Sequence, residues 1–202
     1  MNVNVNAALS REPFQKKLAW GQAAETCIAR WLIRQGYILL PVYDSEYDSG
    51  KGPRVFLKNV QLVAPDFLAW KVRCGWRASS GEYEDITIQW IEAKRKTHFT
   101  RYRLGDTWET GIDLRHYENY CRLRDLLKIP IWLFFLHESS VPSIEDLKYP
   151  ECPSSCPTGL FAGEISDLRA KESHRSNRHA SGMVYWTCNV LRKLASSEEL
   201  KP

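Results

Sequence analysis

The sequence predicts an α/β domain, a central mixed β-sheet flanked by helices. Three observations carry that expectation. An amphipathic helical stripe runs up to Gly36. Two strand-like apolar stretches, from Val60 and from Ile86, are joined by the turn Ala78-Ser79-Ser80-Gly81. A second helical stretch then leads into the apolar run from Ile129 to His137. Helices and strands interleaved in this way bury their apolar faces when helices pack on a sheet.

The elements follow in order. Residues 1–13 read as a loose polar lead-in ending at Pro13. A helix is expected from Phe14 to Gln35, with Gly36 as its natural stop. Tyr37 to Tyr43 reads as a strand, and Asp44 to Pro53 as a polar, Gly-containing loop. Val60 to Trp70, extending as far as Trp76, and Ile86 to Lys94 form the two arms of a β-hairpin, the most strongly patterned part of the chain. Lys96 to Gly111 reads as a basic and aromatic loop. Asp113 is a suitable N-cap for a helix from Leu114 to Lys128, which must end before Pro130. Ile129 to His137 reads as a buried strand. Glu138 to Thr158 is an irregular connection with four prolines. Leu160 to Ile165 and Met183 to Val190 read as short strands around a polar loop from Arg169 to His179, and Leu191 to Leu200 as a terminal helix. The whole is expected to form one domain, 1–202.

Composition narrows the class. An apolar fraction of 44% with 12% aromatics suits a folded domain rather than a disordered chain. The charge of +4 and pI near 8.7 permit a polyanionic partner without demanding one. No basic-then-apolar leader opens the chain, and the run from Ile129 to Leu136 is far short of the roughly 20 residues a membrane helix needs. A cytoplasmic protein with reduced thiols is expected, and its six cysteines show no paired CxxC units. Cys152 and Cys156 with His174 and His179 are spaced too loosely to read as zinc ligands. Asp44, Glu46 and Asp48 alternate like a calcium loop but lack its closing glutamate.

The chemistry lies in charges placed where apolar residues belong. Side chains alternate along a strand. On the strand from Ile86, one face carries Ile86, Ile88, Trp90, Glu92 and Lys94. On the strand before it, Asp66 shares a face with Leu62, Ala64, Leu68 and Trp70. Asp66 also follows Pro65, which removes a ladder donor and predicts a bend or bulge. On the first helix, Glu25 shares a stripe with Gly21, Ile28 and Leu32. Buried charges are expensive unless paired or metal-bound. A divalent cation with oxygen ligands accounts for all of these residues at once. The competing explanation is a salt bridge from Lys94 to Glu92 or Asp66, with Glu25 at the rim.

These residues resemble the PD-(D/E)XK nuclease superfamily. Pro65-Asp66 matches the first half of the motif and Glu92-Ala93-Lys94 the second, on the returning strand of a hairpin. Glu25 matches the acidic residue that many members carry on the preceding helix. The resemblance covers roughly residues 18 to 137. It implies a restriction-endonuclease-like fold and hydrolysis of phosphodiester bonds, with Asp66, Glu92 and the Ala93 carbonyl binding Mg²⁺ or Mn²⁺. Glu25 would complete that site, and Lys94 would orient or activate the attacking water. DNA is the expected substrate ahead of RNA, and a homodimer is compatible with the resemblance. The alternative from another class is a non-catalytic nucleic-acid-binding or assembly module on the same scaffold.

Next to the motif, Arg95, Lys96, Arg101 and Arg103, with Phe99 and Tyr102 interleaved, suit a groove that tracks a phosphate backbone. In the first turns of the second helix, Tyr117 or His116 is a further candidate for phosphate contact, against core packing by Tyr117 and Tyr120.

Overall fold

The computed structural model describes residues 21–42, 54–57, 60–77, 81–177 and 181–201. The expected loop carrying Asp44, Glu46 and Asp48, the helix before residue 21, and His179 lie outside those residues.

Residues 21–34 form α1. Gly36 ends it with φ +83°, its N–H bonded to Ile33 O at 2.9 Å and the Tyr37 N–H to Leu32 O at 3.0 Å. This pairing is the left-handed glycine stop that the sequence predicts. Strand β1 (Ile38–Pro41) follows, then a small ladder of β2 (Arg54–Leu57) with β3 (Val60–Val63). The hairpin is β4 (Phe67–Arg77) and β5 (Gly81–Lys96). After it come β6 (Thr100–Tyr102), β7 (Thr107–Asp113), α2 (Leu114–Leu127), β8 (Ile131–His137), α3 (Ile144–Leu147), β9 (Gly159–Glu164), α4 (Ile165–Ala170), β10 (His174–Ser176), β11 (Met183–Thr187), a 3₁₀ turn (Cys188–Val190) and β12 (Arg192–Ala195).

The central sheet runs β1-β4-β5-β8-β9-β12. Among the described residues only β5 and β8 pair in parallel, from Trp90 opposite Ile131 to Lys96 opposite His137. A parallel pair needs a long crossover, and β6, β7 and α2 supply it. A second, antiparallel sheet runs β10-β11-β7-β6. The central sheet is mixed and covered on both faces. On one face, Ala24, Ile28 and Leu32 of α1 pack with Phe67, Ala69, Ile91 and Ala93. On the other, Trp90, Leu133 and Phe135 pack with Tyr117, Tyr120 and Leu123 of α2 and with Trp186 of the second sheet.

The structure departs from the sequence expectation in five places. The single strand expected from Val60 breaks at residues 64–66, so that β3 pairs with β2 rather than continuing into β4. Ile86 and Ile88 are 55% and 46% exposed rather than core, because β8 accompanies β5 only from Trp90 onward. The expected loop from Lys96 to Gly111 contains the β6–β7 hairpin, held to β11 by main-chain pairing that no local pattern announces. The loop from Arg169 is occupied by the end of α4 and by β10. The expected terminal helix is instead β12, an edge strand on β9, where a free sheet edge overrides the helix-forming tendency of Leu, Lys and Ala.

Candidate active site

Asp66 sits where β4 turns away from its neighbour. The β4–β5 ladder stops at Phe67 opposite Ile91, and Pro65 ahead of it can donate nothing. The Ala93 N–H, two residues further along β5, therefore bonds the Asp66 side chain, at 2.7 Å to Oδ2. The Asp66 main-chain carbonyl accepts from Val42 N at 2.9 Å. The bend expected from proline aims the carboxylate at β5 and fixes it there.

Glu92 and Lys94 project from β5 on the face shared with Trp90. Glu92 is only 2% exposed. Its Oε1 is ion-paired with Lys94 Nζ, while its Oε2 is buried without a hydrogen-bond partner. Glu25, half-buried at the border of the α1 stripe, senses both Lys94 and Glu92. The four residues singled out from the sequence are thus electrostatically coupled, although they come from three elements.

Their protonation preferences follow from crowding. Burial, then the Glu92 charge, pushes the Asp66 carboxyl well above the usual range, opposed by Lys94 and the Ala93 N–H. Burial likewise raises Glu25, with Lys94 opposing and Glu92 adding. Burial disfavours the charge on Lys94, but the Glu92 and Asp66 carboxylates outweigh it and hold the ammonium above the ordinary lysine range. Lys96, one step further along the same face, has no such acid among the described residues. Burial, and then repulsion from Lys94, lowers it to about 8.

Helix α2 closes the site from above. Asp113 caps it, accepting from Arg115 N at 2.9 Å. His116 and Tyr120, four residues apart on one face, approach the carboxylates. Burial, then Lys94, lowers the His116 imidazole and keeps it neutral. Tyr120 is buried, and burial together with the charges of Glu92 and Asp66 and a contact with Glu92 keeps its phenol protonated.

Tyr117, a candidate phosphate contact from sequence, points elsewhere. It is 2% exposed, packs edge-on against Trp186, and donates to Glu172 Oε1 at 2.5 Å. The residue of that helix that reaches Glu92 is Tyr120. The four-residue spacing from His116 is the available signal, and the register of α2 on the sheet decides it. Arg95 lies on the opposite strand face from Glu92 and pairs with Glu138 at 2.8 Å. Arg101 pairs with Asp106 and lies over Trp108, while Arg103 lies 3.8 Å over Tyr149. These two arginines line a cleft on the second sheet.

Among the described residues, no three His, Cys, Asp or Glu side chains close on one point to hold a metal ion by themselves. The oxygens on hand are two carboxylates, Asp66 and Glu92, one of them with an unpartnered buried oxygen, beside the Ala93 main chain. Such an all-oxygen set fits a hard cation that keeps several waters, as Mg²⁺ does, and not a soft one.

No protein-family model and no curated protein sequence matches the chain. Among solved structures, it is similar to a nuclease from a fusselovirus, with 15% identity, 99% of this chain and 92% of that chain covered, and a TM-score of 0.35. A likeness that distant assigns no activity. Among the described residues, no helix is long and apolar enough to cross a membrane.

Proposed function

We propose that the chain is a metal-dependent nuclease of the PD-(D/E)XK type, hydrolysing phosphodiester bonds of nucleic acid, DNA ahead of RNA. The observation that carries this reading is the convergence of Glu25, Asp66, Glu92 and Lys94 from a helix, a strand bend and a neighbouring strand, with Glu92 buried. A chain that only binds nucleic acid gains nothing from carboxylates that repel phosphate.

Asp66, Glu92 and the Ala93 carbonyl would hold Mg²⁺ or Mn²⁺, with Glu25 completing the site directly or through water. When bound, the ion supplies Lewis-acid polarisation of the phosphoryl group and a more acidic water. The Ala93 N–H holds Asp66 in one orientation, which is the preorganisation that electrostatic catalysis needs. Lys94 is kept cationic by its carboxylate neighbours. It therefore serves to orient the attacking water and offset charge on the scissile phosphate rather than to accept a proton. Water adds to phosphorus and gives up a proton to solvent, the P–O bond to the leaving oxygen breaks, and that oxygen takes a proton from solvent and departs as a hydroxyl. Lys96, without an acid partner among the described residues, suits an adjacent phosphate.

The test is cleavage of linear, supercoiled, single-stranded and branched DNA, and of RNA, with Mg²⁺ or Mn²⁺. Wild type is run beside Glu92→Ala and Lys94→Ala. Metal-dependent cutting lost in both variants is the expected result. The competing reading is a non-catalytic nucleic-acid module in which Glu92 and Lys94 are a buried structural pair. It predicts no cutting on any substrate and nucleic-acid binding unchanged in both variants.

A further inference from the structure

Away from the carboxylates, the open face of the second sheet holds a cleft of about 880 Å³. That volume lies within the few-hundred to about 1,000 Å³ common for ligand sites. Three rings stack across it. His174 lies 4.4 Å from Tyr102 at 16° and 4.7 Å from Tyr185 at 6°. The stack is built into the backbone. Tyr185 lies over Gly111, where an added Cβ would come within 2.8 Å of its ring and 2.3 Å of the Val184 carbonyl oxygen. Beneath it, Glu109 is 2% exposed, accepts from the Ser173 hydroxyl and faces His174 Nδ1 at 3.2 Å. A buried carboxylate set beside an imidazole between two phenols is costly for surface decoration.

Cations rim the same cleft. Arg103 has no carboxylate at ion-pair distance among the described residues and rests on Tyr149. Arg101 and Arg175 are paired with Asp106 and Glu172. Arg101 is only 10% exposed and Arg175 lies over Tyr117, so Arg103 is the cation placed to meet a phosphate.

We propose that this cleft binds an unpaired segment of the nucleic-acid substrate, a base against Tyr102 at the end of the ring stack away from Gly111 and its phosphates on Arg103. The inference rests on the nuclease reading and narrows its substrate class to nucleic acid with a single-stranded part, such as a flap, fork or free strand. A ring at the end of a stack takes a further base face, which a duplex keeps stacked internally, and it accepts any base sequence.

The experiment is fluorescence anisotropy of a labelled oligothymidylate and of a blunt duplex of equal length. It is read with the full chain in a chelator, so that no turnover enters. Wild type, Tyr102→Ala, Tyr102→Phe and Arg103→Ala are compared after melting curves establish that each is folded. Expected is a preference of about tenfold or more for the single strand, a loss of about tenfold in Tyr102→Ala, as one lost stacking contact gives, weakening in Arg103→Ala, and retention in Tyr102→Phe. Equal binding of strand and duplex, or folded Tyr102→Ala and Arg103→Ala that bind as wild type, overturns the proposal. Because the readout needs neither metal nor cleavage, a wild type that binds but never cuts counts against the nuclease reading alone.

Discussion

The carboxylate of Asp66 accepts the main-chain N–H of Ala93 at 2.7 Å, so that a side chain occupies the ladder position that β4 vacates at its bend. One hydrogen bond thereby links the two halves of the motif. An amide can accept the same bond without the charge that burial opposes. Asp66→Asn is therefore expected to melt at or above the wild-type temperature in metal-free buffer. Its cleavage is expected to fall on the order of 10²-fold or more, the scale of losing one preorganised electrostatic contact. A marked loss of thermal stability would show that the charged form holds the bend.

Lys94 neutralises a buried pocket of acids. Lys94→Ala leaves Glu92 and Asp66 without their cation. The cost is expected to be about 3 kcal/mol, the low end for a broken buried pair, because Lys94 itself is 28% exposed. Urea denaturation in chelator measures it. Added Mg²⁺ should stabilise this variant more than wild type, since the ion replaces the missing charge and binds only the folded chain.

Two tyrosines on α2 separate site from scaffold. Tyr120→Phe, removing the hydroxyl beside Glu92, is expected to lower metal-dependent cleavage by about tenfold, as loss of a supporting contact does, with little change in melting. Tyr117→Phe gives up the bond to Glu172, at about 1 kcal/mol of stability, and leaves cleavage unchanged. The reverse pattern in paired kinetic and melting measurements would contradict the placement of α2.

His137 sets an acid limit on the fold. It is fully buried and stacked on Phe99 at 3.6 Å and 7°. Burial, and then the charge of Lys96, drops its imidazole from 6.5 to about 3. The unfolded chain therefore binds a proton between those values that the folded chain refuses. Stability is expected to be full above pH 6.5 and to fall as pH drops toward 3, at up to about 1.4 kcal/mol per pH unit. His137→Phe should flatten that slope in urea titrations across pH 4 to 7.

The sequence by itself determined the features whose cause is local. The stop at Gly36, the cap at Asp113, the hairpin and the strand before His137 follow from backbone freedom, side-chain hydrogen bonding and periodicity within a few residues. Glu25, Asp66, Glu92 and Lys94 were legible because each is a charge on an otherwise apolar stripe, and burial makes such a charge conspicuous. Only the tertiary structure decided the rest. Strand β12 exists because β9 offers a free edge, and β7 because β11 pairs with it, which in turn holds β6. Tyr120 rather than Tyr117 meets Glu92, and Arg95 turns to Glu138, because side-chain direction depends on how each element is seated on the sheet. The stacked cleft of Tyr102, His174 and Tyr185 joins residues more than 80 positions apart. No local period encodes a contact between strands that are neighbours only after folding.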